Sequence, residues 1–420
     1  MNDTQLQKIV EIGVGSCGIL REQLGELIMQ RILNILILLI LCPLFMNCTH
    51  QTRLDQWEYV LIDSTRTGND ANPKWGTFGM DVADGNKDGF SDILAGKFFY
   101  LNPGENSGVW SASIIKDSVD GIFITDIDGD SLTDVIALGC NKQYWLEAQD
   151  AAHQIWDTHL IGEEPICNHK LSAMGFLLAD IFPNGVEELI ITDKPGKIYC
   201  FERPADPADF WSVSILSDSG GTEKSIFASD LDQDGLLDLV TGYQVADEKQ
   251  FKGICWFQNT GKKEGAWPRH TIGQIDFTAD HFGAADFDGD GTVEILVTEG
   301  RYPDSNPAGI YLFKAPGGDV RSDHWLRSTI IQQNSTNSLV IVDMDGDGDP
   351  DFVTGEHKGT KKLQVFENLG EGRFSEHVID SLKESHNGAL VKDIDGDGDL
   401  DIVSTGFYDK SVHLWINRSK

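Results

Sequence analysis

From Trp57 onward the chain alternates short apolar runs with acidic turns. Seven times an acidic stretch is followed at once by an apolar pair of β type: Ile93-Leu94, Val135-Ile136, Leu189-Ile190, Leu239-Val240, Ile295-Leu296, Phe352-Val353 and Ile402-Val403. Small and apolar residues precede each stretch, so each acidic segment is expected to join two strands. Between these segments an aromatic residue opens a second β-like run, at Trp57, Trp110, Trp156, Trp211, Trp267, Trp325 and Phe374. The first aromatic run precedes the first acidic segment, and none follows the last. A linear stack has no use for that offset, but a closed ring does. The strand at Trp57 would complete the last unit, whose own strands run out at His413–Arg418. The pattern predicts an all-β fold: a seven-bladed β-propeller over residues 55–420, closed by pairing of an N-terminal strand with the last blade.

The acidic segments share one nine-residue form: DGNKDGFSD from Asp84, DIDGDSLTD from Asp126, DIFPNGVEE from Asp180, DLDQDGLLD from Asp230, DFDGDGTVE from Asp286, DMDGDGDPD from Asp343 and DIDGDGDLD from Asp393. Their first residues lie 42 to 57 apart. Positions 1, 3, 5 and 9 carry side-chain oxygens, position 7 can offer its carbonyl, and Gly at position 6 permits a sharp turn with positive φ. Hard oxygen ligands at this spacing suit Ca²⁺. The expected ligands are Asp84, Asn86, Asp88 and Asp92; Asp126, Asp128, Asp130 and Asp134; Asp230, Asp232, Asp234 and Asp238; Asp286, Asp288, Asp290 and Glu294; Asp343, Asp345, Asp347 and Asp351; and Asp393, Asp395, Asp397 and Asp401. That makes about six sites. The third segment has Phe182 at position 3 and is expected to turn without metal; Ser131 replaces the position-6 glycine in the second. An EF-hand would need Glu at position 12, where the chain has residues such as Ala95, Val297 and Ser404.

Composition fits this reading. Asp and Glu number 67 against 33 Lys and Arg, a formal charge of −34. Such acidity excludes a nucleic-acid partner and docking on anionic lipid through a basic patch. Bound Ca²⁺ would offset much of the self-repulsion.

Residues 55–420 resemble the FG-GAP/VCBS repeat family, similar to the N-terminal propeller of integrin α chains, and the repeated DxDxDGxxD segments carry the resemblance. It implies a seven-bladed propeller with calcium between the first and second strands of each blade. Function is left open, because relatives include adhesins, glycan-binding proteins and propeller lyases acting on acidic polysaccharides.

Ahead of the repeats, the apolar run Ile32–Met46 follows Arg31 and ends at Cys48. It is short for a membrane span and suits a signal h-region. Residues 29–47 read as a lipoprotein-type signal peptide with Cys48 as the lipidated residue, 48–54 as a linker, and 1–28 as an upstream over-call ahead of a start at Met29. Plain secretion is the alternative. The expected location is the bacterial cell surface or outer membrane, or otherwise the periplasm or medium. Cys140, Cys167, Cys200 and Cys255 have no zinc-type spacing; they either pair, Cys140–Cys167 being the nearest, or act as buried apolar residues.

The face opposite the acidic segments gathers Lys97, Lys142, His169, Lys170, Lys194, Lys224, Arg301, Tyr302, His357, Lys358, His386, Tyr408 and Lys410. This basic and aromatic set suits an anionic sugar, or is a set of solvated loop residues. Five residues before each acidic segment the chain has Gly or Ser, except at His281. His281 with Arg301 and Tyr302 is a candidate general base for lyase chemistry, or a packed channel residue. The sequence therefore predicts an exported, monomeric, calcium-stabilised propeller binding a glycan or surface protein. A polysaccharide lyase or hydrolase and a scaffold subunit are the alternatives.

Overall fold

A computed structural model describes residues 53–66, 79–104, 108–166, 175–193, 196–218, 224–245, 251–263, 265–300, 307–385, 387–406 and 408–419. The expected signal segment and Cys48 lie outside the described residues, as do Cys167, His169, Lys170, Lys194, Arg301, Tyr302 and His386.

The described strands form seven four-stranded antiparallel sheets. Blade 1 runs Met80–Ala83, Asp92–Ala95, Phe98–Leu101, Ser111–Ile114, from the inner to the outer strand. Blades 2 to 6 repeat this order from inner strands at Asp120–Thr125, Phe176–Ala179, Ile226–Ser229, Ala279–Ala285 and Val340–Val342. Blade 7 takes Asn387–Lys392, Asp401–Thr405 and Val412–Asn417 from the C-terminus and its outer strand, Trp57–Asp63, from the other end of the chain. Trp57 pairs with Asn417, Tyr59 with Trp415 and Leu61 with His413. The expected closure is present.

Successive side chains of the second strand point to opposite sheet faces, and each face packs against a neighbouring blade, so these strands are buried almost throughout. In blade 4, Leu239, Cys255 and Phe257 face the blade 3 seam, whereas Val240, Ile254 and Trp256 face blade 5. Each seam holds its own apolar cluster, and the seam between blades 7 and 1 packs Met80, Ile93 and Tyr100 against Val403, Val412 and Leu414. Burying each such side chain stabilises the fold by about 1.5–3 kcal/mol. Four of the recurring tryptophans lock the turn before their outer strands: the indole N–H groups of Trp57, Trp156, Trp211 and Trp267 donate to Leu54, His153, Pro207 and Lys262 carbonyls, each at 3.1 Å.

Cys200 and Cys255 are free and buried, and burial pushes both thiols up to about 12, so they act as apolar fillers. Cys140 is disulfide-bonded.

Candidate metal loops and the opposite face

All seven acidic segments join an inner strand to the second strand of its blade. They therefore share one face of the ring. Each opens with an Asp whose two oxygens accept backbone N–H groups further round the turn. Asp230, for example, accepts from Asp234 N and Gly235 N, both at 3.0 Å. Position 5 repeats the device at short range, with Asp234 Oδ1 accepting from Leu236 N at 2.9 Å. The turn needs a left-handed residue at position 6: Gly89, Gly185, Gly235, Gly291, Gly348 and Gly398 have φ of 82° to 98°, and Ser131 is forced to 85°.

Position 9 plays a different part. In blade 4, Asp238 is fully buried; its Oδ2 accepts from Leu231 N at 3.1 Å and its Oδ1 from Asn259 N at 2.8 Å. It thus ties the start of the loop to the end of the third strand. Asp92, Asp134, Asp351 and Asp401 repeat both bonds. Burial pushes all five carboxyls up to about 7, against the downward pull of their two N–H partners.

Among the described residues, three carboxylates converge to within 4.8 Å of one another in five loops: Asp126, Asp128 and Asp134; Asp230, Asp232 and Asp234; Asp286, Asp288 and Asp290; Asp343, Asp345 and Asp347; Asp393, Asp395 and Asp401. These groups could hold a metal ion. Position 3 supplies an independent sign of fit: Asp232 Oδ1 in blade 4, on a fully buried side chain, and Asp288 Oδ1 in blade 5 are buried without a hydrogen-bond partner. A buried carboxylate oxygen is costly unless a donor or cation meets it. In blade 1 position 3 is an amide rather than a carboxylate, and Asn86 Nδ2 donates to Asp88 Oδ2 at 3.0 Å. In blade 3 the turn is held by Asp180 accepting from Asn184 N and Gly185 N. Pro183 sits there at position 4, where Gly129, Gly289, Gly346 and Gly396 have positive φ. The pyrrolidine ring forbids that conformation.

A group of structural residues has a plain sequence sign, Asn-x-Gly, which the loop pattern alone does not reveal. Asn102, Asn259 and Asn368 end the third strands of blades 1, 4 and 6. The Asn259 amide nitrogen donates to Leu237 O of its own loop and, at 2.8 Å, to Ile181 O in the loop of blade 3. Asn368 reaches Phe287 O of blade 5, and Asn102 reaches Ile394 O of blade 7. Arg203 makes the equivalent link from blade 3 to Ile127 O at 2.7 Å. Each metal-type loop is thereby fastened to its neighbour.

On the opposite face, the basic residues expected to form an anion-binding surface are met by carboxylates wherever the structure describes their partners. Lys97 is buried against Asp117 at 2.9 Å, Lys142 lies 3.9 Å from Glu163, and Lys224 lies 3.2 Å from Asp280. Three predicted residues do come together. Asn337 Nδ2 donates to Asp280 Oδ2 at 2.8 Å, and its Oδ1 meets His357 Nδ1. A carboxylate only accepts, so the amide orientation is fixed and the His357 proton sits on Nδ1. His281 Nδ1 lies 3.9 Å from the same Asp280, its backbone N–H donates to Thr298 Oγ1, and burial lowers its pKa. Asp280 and Asn337 were missed; each stands immediately before the small-residue position of its blade, as Lys224 does. Asp280, Asn337 and His357 are all nearly inaccessible, so this is a buried polar network across blades 4 to 6. Tyr408 is more than half exposed and lies in blade 7, with its N–H on Glu384; Lys358 donates its N–H to Ser335.

Residues 343–404 match the FG-GAP-like repeat. No curated protein matches the chain. Two solved structures are similar in fold. An Agrocybe aegerita lectin that recognises non-reducing terminal N-acetylglucosamine is 16% identical, with 82% of this chain and 87% of that chain covered and a TM-score of 0.51. BBS1N, solved in complex with ARL6DN, is 11% identical, with 86% and 96% covered and a TM-score of 0.53.

Proposed function

We propose that this seven-bladed β-propeller, whose residues 343–404 match the FG-GAP-like repeat, is an exported, calcium-stabilised binding module whose ligand is a glycan or protein at the cell surface. The observation that carries the reading is the division of labour between the two faces. One face repeats a single acidic turn, converging carboxylates in five blades, and serves the scaffold. The other bears connections of unequal length and composition, which is where a rigid scaffold places recognition. Ca²⁺ would be held by side-chain oxygens of positions 1, 3 and 5 in blades 4, 5 and 6, and of positions 1, 3 and 9 in blades 2 and 7. Its charge would stabilise loops whose carboxylates repel one another when empty.

Export rests on the leader-like segment ahead of Cys48 and gains support from the Cys140 disulfide, since such bonds persist in oxidising compartments. The lectin similar in fold makes saccharides the first ligand class to test. The lyase alternative takes His281 as its base, a ring that lies partly buried beside Asp280. The deciding experiment offers neutral and acidic oligosaccharides to the calcium-loaded protein. Retention without turnover is expected. Release of unsaturated uronate from an acidic polysaccharide would put the lyase in its place.

A further inference from the structure

In blade 5 the cation at the acidic loop comes from the protein. The strands Glu294–Glu299 and Ala308–Lys314 pair Ile295 with Phe313 and Leu296 with Leu312, which brings Lys314, one step on, opposite Glu294 at loop position 9. Lys314 Nζ bonds Asp288 Oδ2, lies 2.7 Å from Asp290 Oδ2 and 3.2 Å from Glu294 Oε1. The ammonium donates hydrogen bonds to Asp288 and Asp290 and is ion-paired with Glu294, so three carboxylates of one loop surround it. The three acceptors come from positions 3, 5 and 9, three of the four side-chain positions a loop cation could use.

The same register carries other side chains in other blades. Leu239 pairs with Phe257, which sets Gln258 opposite Asp238; its neutral amide donates to Asp232 Oδ2 at 2.8 Å. Val135 pairs with Leu146 and Phe352 with Phe366, which set Glu147 and Glu367 at this point in blades 2 and 6. Arg321 reaches the blade 4 loop at its position-3 carboxylate, and Arg418 reaches the blade 7 loop at position 3, with Asp397 of position 5 lying 3.9 Å away. Among the described residues, only in blade 5 does one side chain pair with three ligand positions. To bind there, a divalent ion would have to displace a charged group already paired with three carboxylates.

We propose that Lys314 is a built-in substitute for the loop cation, making blade 5 metal-independent although its loop sequence, DFDGDGTVE, reads as a good calcium site. The inference rests on the reading of the sister loops as calcium sites, and the loop sequence alone conceals it because Lys314 lies 20 residues after Glu294.

The test is calcium titration by calorimetry of chelator-treated full-length protein and its Lys314→Gln variant, which copies the neutral side chain of Gln258. The variant is expected to bind one Ca²⁺ more than the wild type, and its melting temperature in chelator to fall below that of the chelated wild type. Lys314→Met, which removes the donors altogether, is expected to give the same gain and serves if the first variant folds poorly. Equal stoichiometry in wild type and variants would overturn the proposal. Were the wild type to bind no calcium and the variants one, the lysine substitution would stand and the reading of the sister loops would fall. Binding by neither would remove both.

Discussion

Tyr59 Oη lies 3.0 Å from His413 Nδ1, joining side chains 354 residues apart in sequence on adjacent strands of blade 7. Lys383 packs over the Tyr59 ring, and the neighbouring Trp415 indole donates to Asp380 at 2.8 Å. The ring is thus closed by the two ends of the domain, and no other blade depends on a strand from so far away. Deleting residues 49–64 is expected to leave blade 7 with three strands and an unpaired outer edge. Size-exclusion chromatography should then show aggregation, and the thermal transition should broaden. A monomer melting as sharply as the full chain would refute the role of this strand.

Calcium removal should lower the melting temperature, because an ion bound only by the native state stabilises it by mass action. Asp395→Ala is expected to weaken the calcium response more than Asp180→Ala. Asp395 belongs to a converging carboxylate group, whereas Asp180 holds its turn through backbone hydrogen bonds. An unchanged melt in excess chelator would count against structural calcium.

The metal-free protein should also gain stability as pH falls from 8 toward 7. Asp92, Asp134, Asp238, Asp351 and Asp401 are pushed up to about 7 in the fold. Unfolded aspartates titrate near 3.9, so in this window the native state takes up protons and the unfolded state does not. The stabilisation is complete only below the unfolded value and is lost as pH rises through the folded one. His281 and His413 work the other way, but only once pH falls toward their unfolded value near 6.5. Saturating calcium should flatten the slope, and melting curves at several pH values with and without chelator check both statements.

How much of this was legible beforehand follows from the reach of each interaction. The acidic turns are local, so their nine-residue pattern marked seven strand junctions, and the aromatic offset revealed the closure at Trp57. The inter-blade fastening by Asn259 runs to Ile181, 78 residues earlier, and no local pattern announces the acceptor because it is a backbone carbonyl. Lys314 was invisible as a loop partner for the same reason: pairing of the second and third strands, set by blade geometry, brings it to Asp288. The basic face looked cationic in sequence because Asp117, Glu163 and Asp280, which meet its lysines, lie in other connections and strands.

Asn259→Ala should cost about 1–3 kcal/mol, the usual penalty for leaving buried partners unpaired. It strips donors from both Ile181 O and Leu237 O. Urea unfolding should register the loss, whereas replacing an exposed asparagine should not. A shift below a few tenths of a kcal/mol would show that these links add little.

Ser131→Gly should act in the opposite sense. Ser131 holds φ of 85° where the equivalent residues are glycine. An L side chain in that region costs about 1–2 kcal/mol, part of which is returned through the greater freedom of glycine in the unfolded chain. A small net rise in the urea midpoint is expected, with no loss of calcium binding, since Asp126, Asp128 and Asp134 are untouched.

His281→Ala separates a packed channel residue from a functional one. The imidazole lies partly buried beside Asp280, and burial lowers its pKa, so it is neutral at pH 7. Asp280 keeps Asn337 and Lys224 when the ring is removed, so the network should survive with a gap rather than an unpaired charge. The expected outcome is a destabilisation of about 1–2 kcal/mol, in the ordinary range for a substitution at a packed site. Retention of any glycan bound by the wild type should be unchanged. A variant that melted like the wild type but lost ligand would place His281 in a binding site, and one that lost turnover would make it a catalytic base. Measuring melting temperature and ligand retention on the same preparation tells these apart, because packing, binding and catalysis move different pairs of readings.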